Sequence, residues 1–124
     1  MKILSFNCRG FASLAKKLAL KRLLLSSLLD IIFLQETLCQ AEPLTHTLTS
    51  WLPNWTFQAL DASGRSGGLA IGVNNRAAEV RNIFGGRGFI GLDISSHLVE
   101  RDIRIINVYG PCADRANYWR FLFE

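Results

Sequence analysis

The sequence predicts a one-domain α/β fold with a mixed, mainly antiparallel sheet that opens on a parallel βαβ unit. Three observations carry this. Residues 2–7 (Lys-Ile-Leu-Ser-Phe-Asn) and 31–36 (Ile-Ile-Phe-Leu-Gln-Glu) are short apolar runs closed by polar residues, the signature of strands. Residues 12–29 between them are rich in Leu, Ala and Lys and hold no Gly or Pro, which is helix composition. A strand, a helix and a strand in that order give parallel strands and a right-handed crossover. From Thr56 onward, strand-like runs recur at 55–60, 68–73, 78–84, 89–94 and 103–109, separated by Gly, Asn, Ser and Arg clusters. Such short spacings favour antiparallel hairpins. A length of 124 residues admits one domain, and 49% hydrophobic with 19% charged residues is enough to build a core.

Taken in order, 2–7 reads as a buried strand. In the helix at 12–29, Leu14, Leu18, Leu25 and Leu29 share one face. Leu20, Leu23 and Leu24 fall opposite, near Lys16 and Lys17. The helix is therefore covered on both sides or exposes leucines. Residues 44–52 suggest a short helix after Pro43. Gly64-Arg65-Ser66-Gly67-Gly68 and Gly85-Gly86-Arg87-Gly88 read as hairpin turns; each precedes a strand, so neither fits a phosphate-binding loop opening a helix. Asp114 is placed to cap a last helix from 115, with Tyr118, Trp119 and Leu122 at helical spacing. There is no repeat, linker or low-complexity tract. The sequence stops inside that helix without a C-cap, so residues 1–124 are expected to form a partial domain, truncated at the C-terminus.

Fourteen Lys and Arg against ten Asp and Glu give a net charge of +4 and a weak inclination toward a polyanionic partner. Cys8, Cys39 and Cys112 cannot all pair and show no zinc-ligand spacing, which points to free thiols in a reducing, nuclear or cytoplasmic compartment. The apolar stretch from Leu23 to Gln35 is broken by Ser26, Ser27 and Asp30, so it is too short for a membrane span. Asn7 and Arg9 break the opening run, which excludes a secretory signal. Six basic residues and no acid in the first 29 resemble a transit segment, but the core-strand character of 2–7 speaks against one.

Chemistry follows from the βαβ unit. Parallel strands bring Asn7 and Glu36 to the same sheet rim, where open α/β sheets bind ligands. The run at 103–109 ends in Tyr109 before Gly110-Pro111, and joins them if it runs the same way. A carboxylate, an amide and a phenol suit a hard divalent cation and a phosphate. Each also has an ordinary reading: a solvated Glu, a turn Asn before Cys-Arg-Gly, and a half-buried Tyr with a wet hydroxyl. Composition and spacing leave the choice open. His46 and His97 lack carboxylate partners at any recognisable spacing. Arg65, Arg76, Arg81, Arg87, Arg101 and Arg104 read first as a solvated face, and Cys8 and Cys39 as small buried hydrophobes.

The strings "MKILSFNCRG", "DIIFLQET", "SGGLAIGV" and "INVYGP", the last followed by an Arg- and Trp-containing helix, together resemble the endonuclease/exonuclease/phosphatase superfamily. The likeness is greatest to the endonuclease domain of plant LINE-type, non-LTR retrotransposons, and it covers essentially the whole sequence. The resemblance implies the N-terminal half of a four-layered, deoxyribonuclease-I-like α/β sandwich and a phosphodiesterase that nicks DNA with magnesium, or manganese in its place. It implies Glu36 as the metal carboxylate, Asn7 on the metal or phosphate, and Tyr109 on the scissile phosphate. The second half of the family pattern, with its "GDFN"-like and Ser-Asp-His-type motifs, is missing, and Cys112 stands where many relatives have Asn after Tyr-Gly-Pro. The isolated chain is therefore expected to be inactive, to bind DNA weakly and without sequence preference, and to have no membrane partner. A second polypeptide supplying the missing half would make it a split nuclease. The alternative is a non-catalytic interaction module or a decayed retrotransposon remnant.

Overall fold

The computed structural model describes residues 1–11, 13–63, 66–110 and 115–123. Its elements in chain order are β1 (Ile3–Asn7), α1 (Leu14–Ser26), β2 (Ile31–Gln35), α2 (Ala41–Trp51), β3 (Trp55–Ser63), β4 (Ser66–Asn74), β5 (Glu79–Gly86), β6 (Phe89–Ser95), β7 (Ile103–Val108) and α3 (Arg115–Phe123).

The parallel βαβ unit forms as the apolar runs predict. β1 pairs with β2 in parallel, with Ile3 opposite Ile31 and Asn7 opposite Gln35. Ser13 caps α1, its Oγ accepting the Lys16 N–H at 3.2 Å. The helix stops at Ser26, whose Oγ donates to the Leu23 carbonyl at 3.3 Å, and Ser27 turns extended. It is thus shorter than 12–29, and Leu29 is buried from the following loop rather than from a helix face. Leu20 and Leu24 are its buried residues, whereas Leu14, Leu18 and Leu25 face outward, so the helix does expose leucines. α2 starts before Pro43, which sits in its first turn, where no intrahelical N–H bond is lost.

The antiparallel strands divide into two sheets, a point the spacings left unspecified. The first sheet runs β1-β2-β4-β3 and the second β5-β6-β7. The break falls between β4 and β5, where Asn74 turns the chain by accepting the Arg76 and Ala77 N–H groups at 3.0 and 2.9 Å. β7 lies over β2 and β4, and β6 over β4 and β3. Ile31, Leu69, Ile71 and Val73 of the first sheet meet Ile90, Leu92, Ile94 and Ile105 of the second in an apolar inter-sheet core. Ile32, Leu34 and Ala70 point the other way, against Leu20 and Leu24 of α1 and Leu44 and Leu48 of α2. β2 and β4 are covered on both faces, and their unbroken apolar runs reflect it.

β1 departs from the expected buried strand. It is an edge strand, and four of its five residues are exposed. Its inward residues, Ile3, Ser5 and Asn7, extend past the described part of the second sheet, and Ile3 is 47% exposed. At the other end, Arg87 and Gly88 turn the β5–β6 hairpin, with Gly88 at φ 73° as expected of a turn glycine. Tyr118 of α3 is buried against that turn, its hydroxyl donating to the Arg87 carbonyl at 2.9 Å. Gly64 and Arg65 of the other glycine cluster, the proposed cap Asp114, and Cys112 lie outside the described residues.

Candidate functional site

Regular alternation along β2 sends Ile32 and Leu34 to the helix face and would send Glu36 after them. Glu36 instead takes φ 49°, which breaks the alternation and turns its carboxylate into the inter-sheet space. There the Tyr109 hydroxyl, from just past the end of β7, donates to Glu36 Oε1. Asn7 lies across from Gln35 on the same rim. The structure therefore brings together the three residues singled out in the sequence, with β7 approaching from the second sheet rather than lying beside β1 and β2.

Arg9 (φ 49°) and Leu38 (φ 54°) are the other non-glycine residues with positive φ among those described, and both flank this rim. Left-handed backbone at such residues costs on the order of 1–3 kcal/mol each and persists only where the surroundings enforce it. Here the Cys8 and Gly10 N–H groups donate to the Gln35 and Glu36 carbonyls, both at 2.8 Å. On the far side, the Thr37 and Leu38 N–H groups donate to the Gly68 and Gly67 carbonyls at 3.2 and 3.1 Å. The glycine pair is thus the seat of the Glu36 loop rather than a turn alone. Gly68 has φ 88°, and a Cβ on it would stand 2.2 Å from Thr37 Oγ1. Thr37 is fully buried, and among the described residues its hydroxyl has no partner within hydrogen-bond geometry.

The turn reading of Asn7 holds. Its Oδ1 accepts the Arg9 N–H at 3.1 Å, which makes the turn, and its Nδ2 remains a donor at the rim. Lys16 Nζ donates to the Arg9 carbonyl at 2.6 Å, which brings its ammonium beside the turn that follows Asn7. A cavity of about 470 Å³ opens here between the end of β1 and α1, lined by Phe6, Asn7, Cys8, Arg9, Lys16 and Leu20 among others.

The remaining candidates lie apart. His46 on α2 and His97 in the β6–β7 loop are exposed. Asp93 is held by Arg104, whose Nε donates at 2.7 Å; that hydrogen bond is the main cause of its lowered carboxyl pKa. Arg76, Arg81, Arg87, Arg101 and Arg104 are exposed. Cys8 and Cys39 are free thiols, and burial raises both, Cys8 to about 12. Among the described residues, no cluster of three or more His, Cys, Asp or Glu could hold a metal. Glu36 offers one carboxylate, a sparse but hard oxygen donor of the kind magnesium accepts when water and phosphate complete it, whereas the Asn7 oxygen is engaged by the Arg9 N–H. No described helix is long and apolar enough to cross a membrane.

Residues 4–123 match the model of the Endonuclease/Exonuclease/phosphatase family. The chain belongs to this family. Solved structures agree on the fold. Humanized D. rerio TDP2 is 13% identical with a TM-score of 0.68, over 97% of this chain and 53% of that one. The Xenopus laevis APE2 catalytic domain is 19% identical with a TM-score of 0.64, over 99% and 51%. The AP endonuclease LMAP from Leishmania major is 18% identical with a TM-score of 0.63, over 92% and 42%. The two-sheet α/β architecture is the deoxyribonuclease-I-like fold of these neighbours, and the chain spans about half of their length. D. rerio TDP2 has also been solved with a single-strand DNA product. No curated protein is significantly similar to the chain.

Sequence reasoning missed Thr37 and Gly68, although both stand in the strings that carry the family resemblance. The available signal was a paired glycine opening a buried strand, where a close backbone approach is one of the two usual reasons for glycine. Gln35 and Asn107, directly beneath the rim, were also missed.

Proposed function

We propose that these residues form one half of a metal-dependent phosphodiesterase site that nicks DNA, of LINE-type retrotransposon origin. The observation that carries this reading is the Tyr109–Glu36 hydrogen bond made across the two sheets at the rim shared with Asn7. The retrotransposon origin rests on the four sequence strings and their order. Glu36 would hold magnesium or manganese through its carboxylate, and the bound ion would offset charge developing on a phosphoryl oxygen. Tyr109 restrains the carboxylate with its one O–H, and donates it to the scissile phosphate only on releasing Glu36. Asn7, its oxygen taken by Arg9, directs Nδ2 hydrogens to a phosphate oxygen. Arg9 and Lys16 add positive charge for the DNA backbone, which gives weak, salt-sensitive and non-specific affinity.

Hydrolysis also needs a base for the attacking water. None of the described histidines reaches this rim, so catalysis requires further residues, in the same polypeptide or a second one. The uncovered inward face of β1 and the edge position of β7 lie on one flank of the sandwich. A strand added to β7 there would cover Ile3 and Ser5 and bring its own side chains beside Glu36.

Magnesium titration by calorimetry tests the metal role. One carboxylate should give millimolar affinity at best, on the order of other sparse sites, and Glu36→Gln should abolish it. A tight site that survives Glu36→Gln would overturn the reading.

A further inference from the structure

Beneath the rim, a second row of polar side chains joins the same three strands. Ser5 lies two residues before Asn7, Gln35 one before Glu36, and Asn107 two before Tyr109. Asn107 is 1% exposed, on the inward face of β7 in line with Ile103 and Ile105. Its Nδ2 donates to the Leu34 carbonyl at 3.0 Å and to the Ala70 carbonyl at 2.7 Å. Both partners can only accept, so the amide has one orientation and its Oδ1 must face Gln35. Gln35 Nε2 donates to that oxygen at 2.8 Å and to Ser5 Oγ at 3.0 Å. One asparagine of the second sheet therefore grips two strands of the first through their backbone, and a third through Gln35.

Inter-sheet cohesion alone does not call for an amide at this position. The neighbouring inward positions of β7 are isoleucines, and apolar contact is non-directional, so it tolerates small slides of one sheet over the other. An amide buried with all its hydrogen bonds made does not, because a slide leaves donors and acceptors unpaired. The row fixes β7 along β2 at the place where register decides whether the Tyr109 hydroxyl meets Glu36.

We propose that Gln35 and Asn107 are positioning residues that set the Glu36–Tyr109 contact; their catalytic relevance rests on the phosphodiesterase reading of that contact.

The test uses the chain labelled with carbon-13 at tyrosine Cζ, whose NMR shift reports on the hydrogen bonding of the phenol. The chain has two tyrosines, so Tyr118→Phe assigns the Tyr109 signal. Glu36→Gln supplies its position without a carboxylate acceptor. Asn107→Leu and Gln35→Met should each move the Tyr109 signal most of the way to that position. Ile94→Val, which loosens the inter-sheet core without touching the row, should lower the melting temperature and leave the signal in place. Should Asn107→Leu fail to fold, the part-exposed, shape-conserving Gln35→Met decides. A folded Gln35→Met with an unmoved Tyr109 signal overturns the proposal, as does an equal shift in Ile94→Val. A Tyr109 signal indifferent to Glu36→Gln overturns it too, since there is then no contact to position. Unchanged magnesium binding in Glu36→Gln, with the tyrosine shifts as expected, would remove the metal role and leave the positioning intact.

Discussion

The missing side chain of Gly68 is what lets the Glu36 loop close. Alanine there would meet the Thr37 hydroxyl at 2.2 Å and would have to hold φ 88°. The backbone strain alone is on the order of 1–3 kcal/mol, and the clash adds to it because Thr37 is fully buried. Gly68→Ala should lower the denaturation midpoint accordingly, and the Tyr109 phenol signal should move with the displaced loop. Gly67, where an added Cβ would meet no described atom within 4 Å, carries the strain at φ 77° without the clash and should cost less on the same substitution. Cys8 offers a second measurement. Burial, helped by the nearby Cys39, pushes its thiol from 9.0 to about 12, which lowers its thiolate fraction roughly a thousandfold at neutral pH. In a Cys112→Ser background, Cys39 should react first with a thiol reagent and Cys8 only on opening. The sign of the pH effect follows from which state holds the proton. Below pH 9 both folded and unfolded chains carry the neutral thiol, and its stabilising contribution is complete. Between 9 and about 12 only the folded chain keeps the proton, so stability falls as pH rises. Cys8→Ala should flatten that part of the urea-midpoint profile.

Among the elements, α1 departs furthest from an ordinary outer helix. Leu20 and Leu24 are buried while Leu14, Leu18 and Leu25 are exposed on another face. Leu24→Ala should therefore cost about 2–5 kcal/mol in chemical denaturation. Leu18→Gln or Leu25→Gln should stay within about 0.5 kcal/mol in the isolated chain. A large loss from Leu18→Gln would mean that this face is covered in solution. The ambiguity was legible in the leucine spacing, as were the approximate positions of the seven strands, because most are short apolar runs closed by polar residues or glycine. The edge position of β1 was not legible. Strand 2–7, with Ile3, Leu4 and Phe6, reads as a core strand, and only the long-range pairings show that it has one neighbour among the described strands. The division after β4 was hidden for the same reason, since Asn74 turns the chain much as a hairpin would. The common rim of Asn7 and Glu36 follows from parallel pairing, whereas the inward turn of the carboxylate depends on a left-handed residue that Glu does not announce. Asn107 did leave a trace, as a polar residue on the otherwise apolar inward face of its strand.

For the whole molecule, the sandwich is unequal: four strands face three, and the overhang lies beside the candidate site. In-line phosphodiester hydrolysis needs an activated water, a cation on the developing charge and help for the leaving group. On the reading proposed above, Glu36, Asn7 and Tyr109 would address the cation and the phosphate. Among the described residues no histidine offers the water a base: His46 and His97 are exposed on other elements, and Asp93 is tied to Arg104 in the second sheet. A general base is typically worth about 10²–10⁴-fold. With the flank of β1 uncovered, the phosphate would also be held loosely, and an error of about 1 Å can cost roughly another 10²-fold. The isolated chain should therefore not detectably nick supercoiled plasmid in magnesium. Adding a polypeptide that carries a strand able to pair with β7, an acidic metal ligand and a paired histidine should restore nicking, and Glu36→Ala should then abolish it. Magnesium-dependent nicking by the purified chain alone, lost in Glu36→Ala, would show that these residues already hold a complete site. If nicking stays absent after the complement is added, and calorimetry finds no magnesium binding, the chain is an interaction module that keeps the fold of its family without the chemistry.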